Sequence, residues 1–111
     1  PYSVSKHGAV ALAEWLSITH GHDGIIVSAL CPQAVDTDML GDSTGGGVAG
    51  LDGVLSAEDV AAAAVEGIRA ERFLILPHPE VADYERRRAD DRERWLEGMR
   101  RLNDRFAGRP A

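Results

Sequence analysis

Tyr2 and Lys6 stand four residues apart in the opening stretch PYSVSKHGAVALAEW. On a helix that spacing sets two side chains about 40° apart around the axis and about 6 Å apart along it, so both project from one face. An ammonium beside a phenol favours the ionised ring oxygen. A tyrosine in that company can give a proton to a substrate oxygen or take one from it. The ammonium can also hold a ribose hydroxyl and so fix a nucleotide beside the tyrosine. Of the 12 basic residues only Lys6 is a lysine, and it follows one of only 2 tyrosines. Two ordinary surface residues of a helix would show the same spacing, so the pair alone leaves both readings open.

The second stretch that could do chemistry is LCPQAVDTDM, residues 30–39. Pro32 stiffens a turn, Val35 can offer main-chain hydrogen bonds, and Thr37 offers a hydroxyl. Such a stretch has meaning only at the end of a strand, because open α/β sheets bind ligands at the carboxyl ends of their strands. An ordinary strand exit would use similar turn residues. His7, His20, His22 and His78 lack the paired helical spacing of a metal site, so no metal is expected. Cys31 is the single cysteine, which excludes an internal disulfide and a cysteine-built metal site. Its place before Pro32 at a strand end suits a buried, inert thiol.

The elements that must position these residues follow from periodicity. Residues 3–19 read as a helix, with Val4, Ala11, Leu12, Trp15, Leu16 and Ile18 on a broad apolar stripe. HGHDG ends it, with Gly21 as the candidate left-handed position. IIVSALCP, residues 25–32, reads as a strand that is apolar on both faces, as a covered parallel strand would be. Residues 33–55 read as a long loop rich in Gly, Asp and Ser. Ser56 is placed to cap a second helix, with Glu58 and Asp59 in its first turn and Val60, Ala64 and Ile68 on one face. FLILP, residues 73–77, reads as a short buried strand. One long charged helix is expected from Pro79 to about Phe106. Its ERRRADDRER centre reads as a solvated face with weak ion pairs. Strands alternating with helices argue an α/β fold with a parallel sheet. Two strands alone make no stable sheet, so others are expected to complete it.

Composition narrows the classes. The 111 residues fit one domain, and 44% hydrophobic residues suffice for a packed core. A net charge of −6 argues against nucleic acid and anionic membrane as partners. No apolar run approaches the roughly 20 residues of a membrane span, and no signal peptide is visible. A soluble, cytoplasmic protein is the expectation.

Taken together, the two stretches resemble the short-chain dehydrogenase/reductase family. That family carries Tyr-x-x-x-Lys at the start of a long helix. It carries Pro-Gly-x-(Val/Ile)-x-Thr-x-Met about 25 to 30 residues later, after the next strand. The matching residues are Tyr2, Lys6, Pro32, Val35, Thr37 and Met39, and LSAEDVA with FLILP is similar to the family's C-terminal part. The resemblance covers essentially the whole chain.

It implies the C-terminal part of a Rossmann-type doubly wound parallel sheet. Residues 1–77 would form helix, strand, substrate loop, helix and strand, and residues 78–111 a C-terminal helical extension. It implies NAD or NADP as cofactor and an alcohol or carbonyl compound as substrate. Tyr2 would be the acid/base and Lys6 its electrostatic and ribose partner. Tyr2, Lys6, Pro32, Val35 and Thr37 would make up the cofactor side, and residues 38–55 a loop closing over substrate. His78 becomes a substrate-side candidate, because the family's C-terminal region lies near substrate. A homo-oligomer is implied for the full-length enzyme.

Gln33 stands where the family has glycine. Positive φ is costly for a side chain, so the turn is expected to be reshaped. The family's glycine-rich turn, Thr-Gly-x-x-x-Gly-x-Gly, is not in the sequence, nor are its upstream serine and asparagine. The expectation is therefore a fragment that is inactive alone. A dimerising or interaction module, or a non-functional remnant, is the alternative.

Overall fold

A computed structural model describes residues 1–38 and 51–108. The chain is α/β, with small parallel sheets. Helix α1 runs Tyr2–His20, strand β1 Ala29–Leu30 and strand β2 Val35–Asp36. Strand β3 is Leu55–Ser56, helix α2 Ala57–Arg69 and strand β4 Leu74–Ile75. Helices α3, Val81–Asp90, and α4, Arg92–Phe106, follow. β1 pairs in parallel with β4, Ala29 opposite Leu74 and Leu30 opposite Ile75. β2 pairs in parallel with β3, Val35 opposite Leu55 and Asp36 opposite Ser56.

The crossover that makes β1 and β4 parallel runs through α2. Ser56 caps this helix as expected, its side chain accepting from the Asp59 N–H at 3.1 Å. The buried face of α2 is Val60 and Gly67, whereas Ile68 is exposed. Gly67 is buried because α2 lies directly on β4: a Cβ there would stand 2.5 Å from Ile75 Cγ1 and Cδ1. Among the described residues, Ala34, Val60, Gly67, Ile75 and His78 are the buried ones of this small core.

Three expectations are corrected. The left-handed residue after α1 is Gly24, with φ 80°, and not Gly21, because a 3-10 turn at Gly21–Asp23 carries the helical path one step further. The strand expected over residues 25–32 is paired only at Ala29 and Leu30, where β4 supplies hydrogen-bonding partners. The single helix expected from Pro79 to Phe106 is two. Asp91 is extended, with φ −147° and ψ 92°, and its carboxylate accepts from the Arg94 N–H at 3.0 Å to cap α4. That capping bond compensates for the broken helix, as an aspartate at a helix start does. The loop expected over residues 33–55 also holds the paired segments β2 and β3 at its two ends.

Candidate functional site

Tyr2 and Lys6 both lie in the first turns of α1, as the spacing predicts. The Lys6 Nζ stands 5.4 Å from the centre of the Tyr2 ring. Both side chains are open to solvent, Tyr2 by 69% of its surface. Lys6 makes no ion pair among the described residues, so its ammonium is available to a ligand. The backbone beneath them is secured by Ser5, whose hydroxyl donates to the Tyr2 carbonyl at 2.8 Å.

His7 is next along the helix and lines a shallow pocket together with Lys6. Its Nδ1 donates to the Ser3 carbonyl at 2.7 Å, which leaves Nε2 to accept from Arg88 Nη1 of α3 at 3.4 Å. Arg88 is held a second way, its guanidinium 5.3 Å from the centre of the Trp95 ring. This contact ties the α3–α4 pair to α1 within one residue of Lys6. An open groove of about 1070 Å³ runs from His7 and Gln33 past Leu51 and Tyr84 to Trp95 and Met99.

The strand-exit stretch leaves the carboxyl end of β1. Pro32 and Thr37 are exposed, Val35 is half-buried, and Ala34 is packed into the core. No hydrogen bond or ring contact joins this stretch to Tyr2 or Lys6 among the described residues. Met39 and most of the expected substrate loop, including Gly45, Gly46 and Gly47, lie outside the described residues. The two described ends of that loop meet. β2 pairs with β3, and the Leu55 N–H donates to the Ala34 carbonyl at 3.1 Å.

Gln33 does not take positive φ; Glu71 is the one described non-glycine residue that does. His78, the substrate-side candidate, is buried. It is 2% exposed, and both its ring nitrogens are engaged. The Gln33 N–H donates to Nδ1 at 3.0 Å, so the ring proton sits on Nε2, which donates to the Gly53 carbonyl at 3.2 Å. Sequence reasoning missed Tyr84, whose hydroxyl donates to Asp52 Oδ1 at 2.5 Å beside Gly53. Cys31 is half-buried rather than buried as expected; partial burial pushes its pKa up, and the Glu85 carboxylate adds to the shift.

For a nicotinamide nucleotide the residues present fit one part of the group. An exposed phenol, an available ammonium beside it and the open Thr37 hydroxyl are the donors that a ribose and its neighbouring phosphate take up. Among the described residues no cluster of His, Cys, Asp or Glu could hold a metal ion. No described helix is long and apolar enough to cross a membrane.

The chain is 37% identical over 90 residues to 1-deoxy-11-beta-hydroxypentalenate dehydrogenase of Streptomyces exfoliatus, covering 81% of this chain and 33% of that protein. Identity to the protein of the same name from Streptomyces arenae is 36% over 84 residues, 72% of this chain and 30% of that one. A Streptomyces violaceoruber protein named as a ketoacyl reductase of the granaticin polyketide synthase is 49% identical over 39 residues, 35% of this chain and 14% of that one. No protein-family model and no solved structure matches. The chain is thus homologous to proteins named as dehydrogenases and ketoacyl reductases, in keeping with its resemblance to the short-chain dehydrogenase/reductase family. It spans a third or less of the length of these curated relatives.

Proposed function

We propose that this chain carries the proton-transfer end of an NAD(P)-dependent oxidoreductase acting on an alcohol or carbonyl substrate. The observation that carries the reading is the exposed Tyr2–Lys6 pair at 5.4 Å on the first turns of a helix, in a chain homologous to dehydrogenases and reductases. In this reading the chain belongs to a doubly wound Rossmann domain, and other residues supply the strands and glycine-rich turn that cradle the pyrophosphate.

The nicotinamide, when bound, supplies or accepts the hydride. Tyr2 gives its proton to the substrate oxygen when a carbonyl is reduced, and takes one from the hydroxyl when an alcohol is oxidised. Lys6 stabilises the negative charge that develops on the Tyr2 oxygen, and its ammonium is free to hold a ribose hydroxyl. Thr37 and the main chain of Val35, in the stretch that follows β1, would hold the nicotinamide end and the nearby phosphate. The relatives' names fit this chemistry, because a hydroxyl and a ketone are the two ends of one redox couple. The apolar residues exposed on α1 favour a subunit contact, so the same protein would act as a homo-oligomer.

The test is Tyr2→Phe in the complete polypeptide that carries these residues, followed by NAD(P)H absorbance. The expected loss in kcat is about 10²- to 10⁴-fold, the usual contribution of a positioned acid/base, with cofactor affinity retained. Lys6→Ala is expected to weaken cofactor binding and kcat together. Full activity of Tyr2→Phe would exclude Tyr2 as the proton donor.

A further inference from the structure

We propose that His78 is a positioning residue that clamps the cofactor-side turn to the returning end of the substrate loop. Three observations carry this. His78 is the most deeply buried polar side chain described, at 2% exposure, yet it sits in a short connector between β4 and α3. Its ring joins two backbone sites far away in sequence, Gln33 at 45 residues and Gly53 at 25. Those two sites bracket the stretch containing Val35 and Thr37.

The chemistry of the ring makes the clamp directional. Nδ1 meets an N–H and so must accept; Nε2 meets a carbonyl and so must donate. One neutral tautomer satisfies both. A main-chain N–H buried beside an apolar residue at position 78 would lose its partner, at the cost that burial of an unpaired polar group carries.

The clamp also accounts for Gln33. The family's glycine at that position can reach conformations closed to Gln, and here the backbone stays at negative φ. The Gln33 N–H, turned inward, is received by His78 rather than left unpaired. Gly53 supplies the conformational freedom on the other side: its φ is 90°, which an L side chain rarely adopts, and this orients its carbonyl toward Nε2. Tyr84 reinforces the same end by holding Asp52. β2 and β3 then pair above the clamp, so that Val35 and Thr37 are presented from a fixed base.

The experiment uses the complete polypeptide. Three variants are compared with the parent: His78→Leu, which keeps neither bond; His78→Asn, whose amide oxygen can replace Nδ1; and Tyr84→Phe. Amide hydrogen exchange is followed at Gln33 and across residues 34–37, alongside KM for the cofactor and kcat. In His78→Leu, exchange at Gln33 and the cofactor KM are each expected to rise about tenfold, the factor for one lost hydrogen bond, while kcat and exchange in α2 hold. His78→Asn is expected to restore protection at Gln33 in part. Tyr84→Phe is expected to loosen residues 52–55 and leave Gln33 protected. Unchanged exchange at Gln33 in His78→Leu, or a uniform rise through the whole fold, would overturn the clamp.

A variant that fails to fold does not remove the test. In the parent protein, imidazole nitrogen-15 shifts must show an unprotonated Nδ1 and a protonated Nε2; the opposite tautomer would overturn the proposal. The KM arm rests on the proposed hydride transfer, whereas the exchange and tautomer arms do not. An inactive parent protein with a protected Gln33 would therefore sink the proposed function and sustain the clamp.

Discussion

Tyr84 shows how one hydrogen bond sets a titration. Its hydroxyl donates to Asp52, and this bond to the neutral phenol raises its pKa above the ordinary tyrosine value. Partial burial and the nearby Asp52 and Glu80 carboxylates push the same way, while Arg87 offsets part of the shift. A phenol whose folded pKa is raised stabilises the fold below its unfolded value of about 10, and that contribution is lost as pH climbs through the folded value. The tie between α3 and the loop base should therefore persist through neutral pH and weaken only in strong alkali. Phenolate absorbance of the parent protein minus that of Tyr84→Phe reports this phenol alone. Its midpoint should lie above that of free tyrosine; one at or below it would show that the Asp52 bond does not form in solution. At this scale the sequence was uneven. The proximity of Tyr2 and Lys6 could be read because their spacing is local. The bonds of His78 and Tyr84 reach across 25 to 45 residues and leave no local pattern to read.

Elements were legible where their own residues decide them. α2 begins at Ser56 because its side chain, its acidic first turn and its apolar spacing all agree. β1 was overestimated because IIVSALC is apolar apart from Ser28, whereas pairing depends on a neighbouring strand that periodicity does not see. The break at Asp91 was hidden by a run of good helix formers, although Asp91 followed by Arg94 is also a place where a helix can start anew. The packing of α2 on β4 gives a sharp prediction. Gly67 carries no side chain because Ile75 occupies the space, with Cγ1 and Cδ1 each 2.5 Å from where a Cβ would be. Alanine would gain up to about 1 kcal/mol in helix propensity and lose about 1–3 kcal/mol to overpacking. Gly67→Ala should thus lower the thermal midpoint of the complete polypeptide. Adding Ile75→Val, which removes Cδ1, should recover part of the loss. A Gly67→Ala variant as stable as the parent would mean that α2 and β4 are further apart than described.

At the scale of the whole molecule the described core is too small for the apolar surface around it. The radius of gyration is 15.9 Å, with extents of 53 × 33 × 24 Å. A compact chain of this length would have a radius of about 13 Å. No residue of α1 is buried, and Val4, Leu12, Trp15 and Ile18 face solvent along it. Ile25 and Ile26 lead into β1 equally exposed, beside a sheet of only two strands. Such surfaces are covered in a doubly wound domain by neighbouring strands and helices, and two parallel strands do not hold a sheet together on their own. Under the proposed function, neighbouring elements of that domain would bear the glycine-rich turn. Tyr2, Lys6 and Thr37 alone would then lack the main-chain N–H groups that hold a pyrophosphate. The purified 111 residues are therefore expected to bind NADH and NADPH no better than millimolar in a fluorescence titration. They should bind a hydrophobic dye strongly and unfold over a broad range without a sharp transition. Micromolar cofactor binding by this chain alone would overturn that expectation, because the Tyr2–Lys6 helix and the Thr37 turn would then be sufficient to hold the nucleotide.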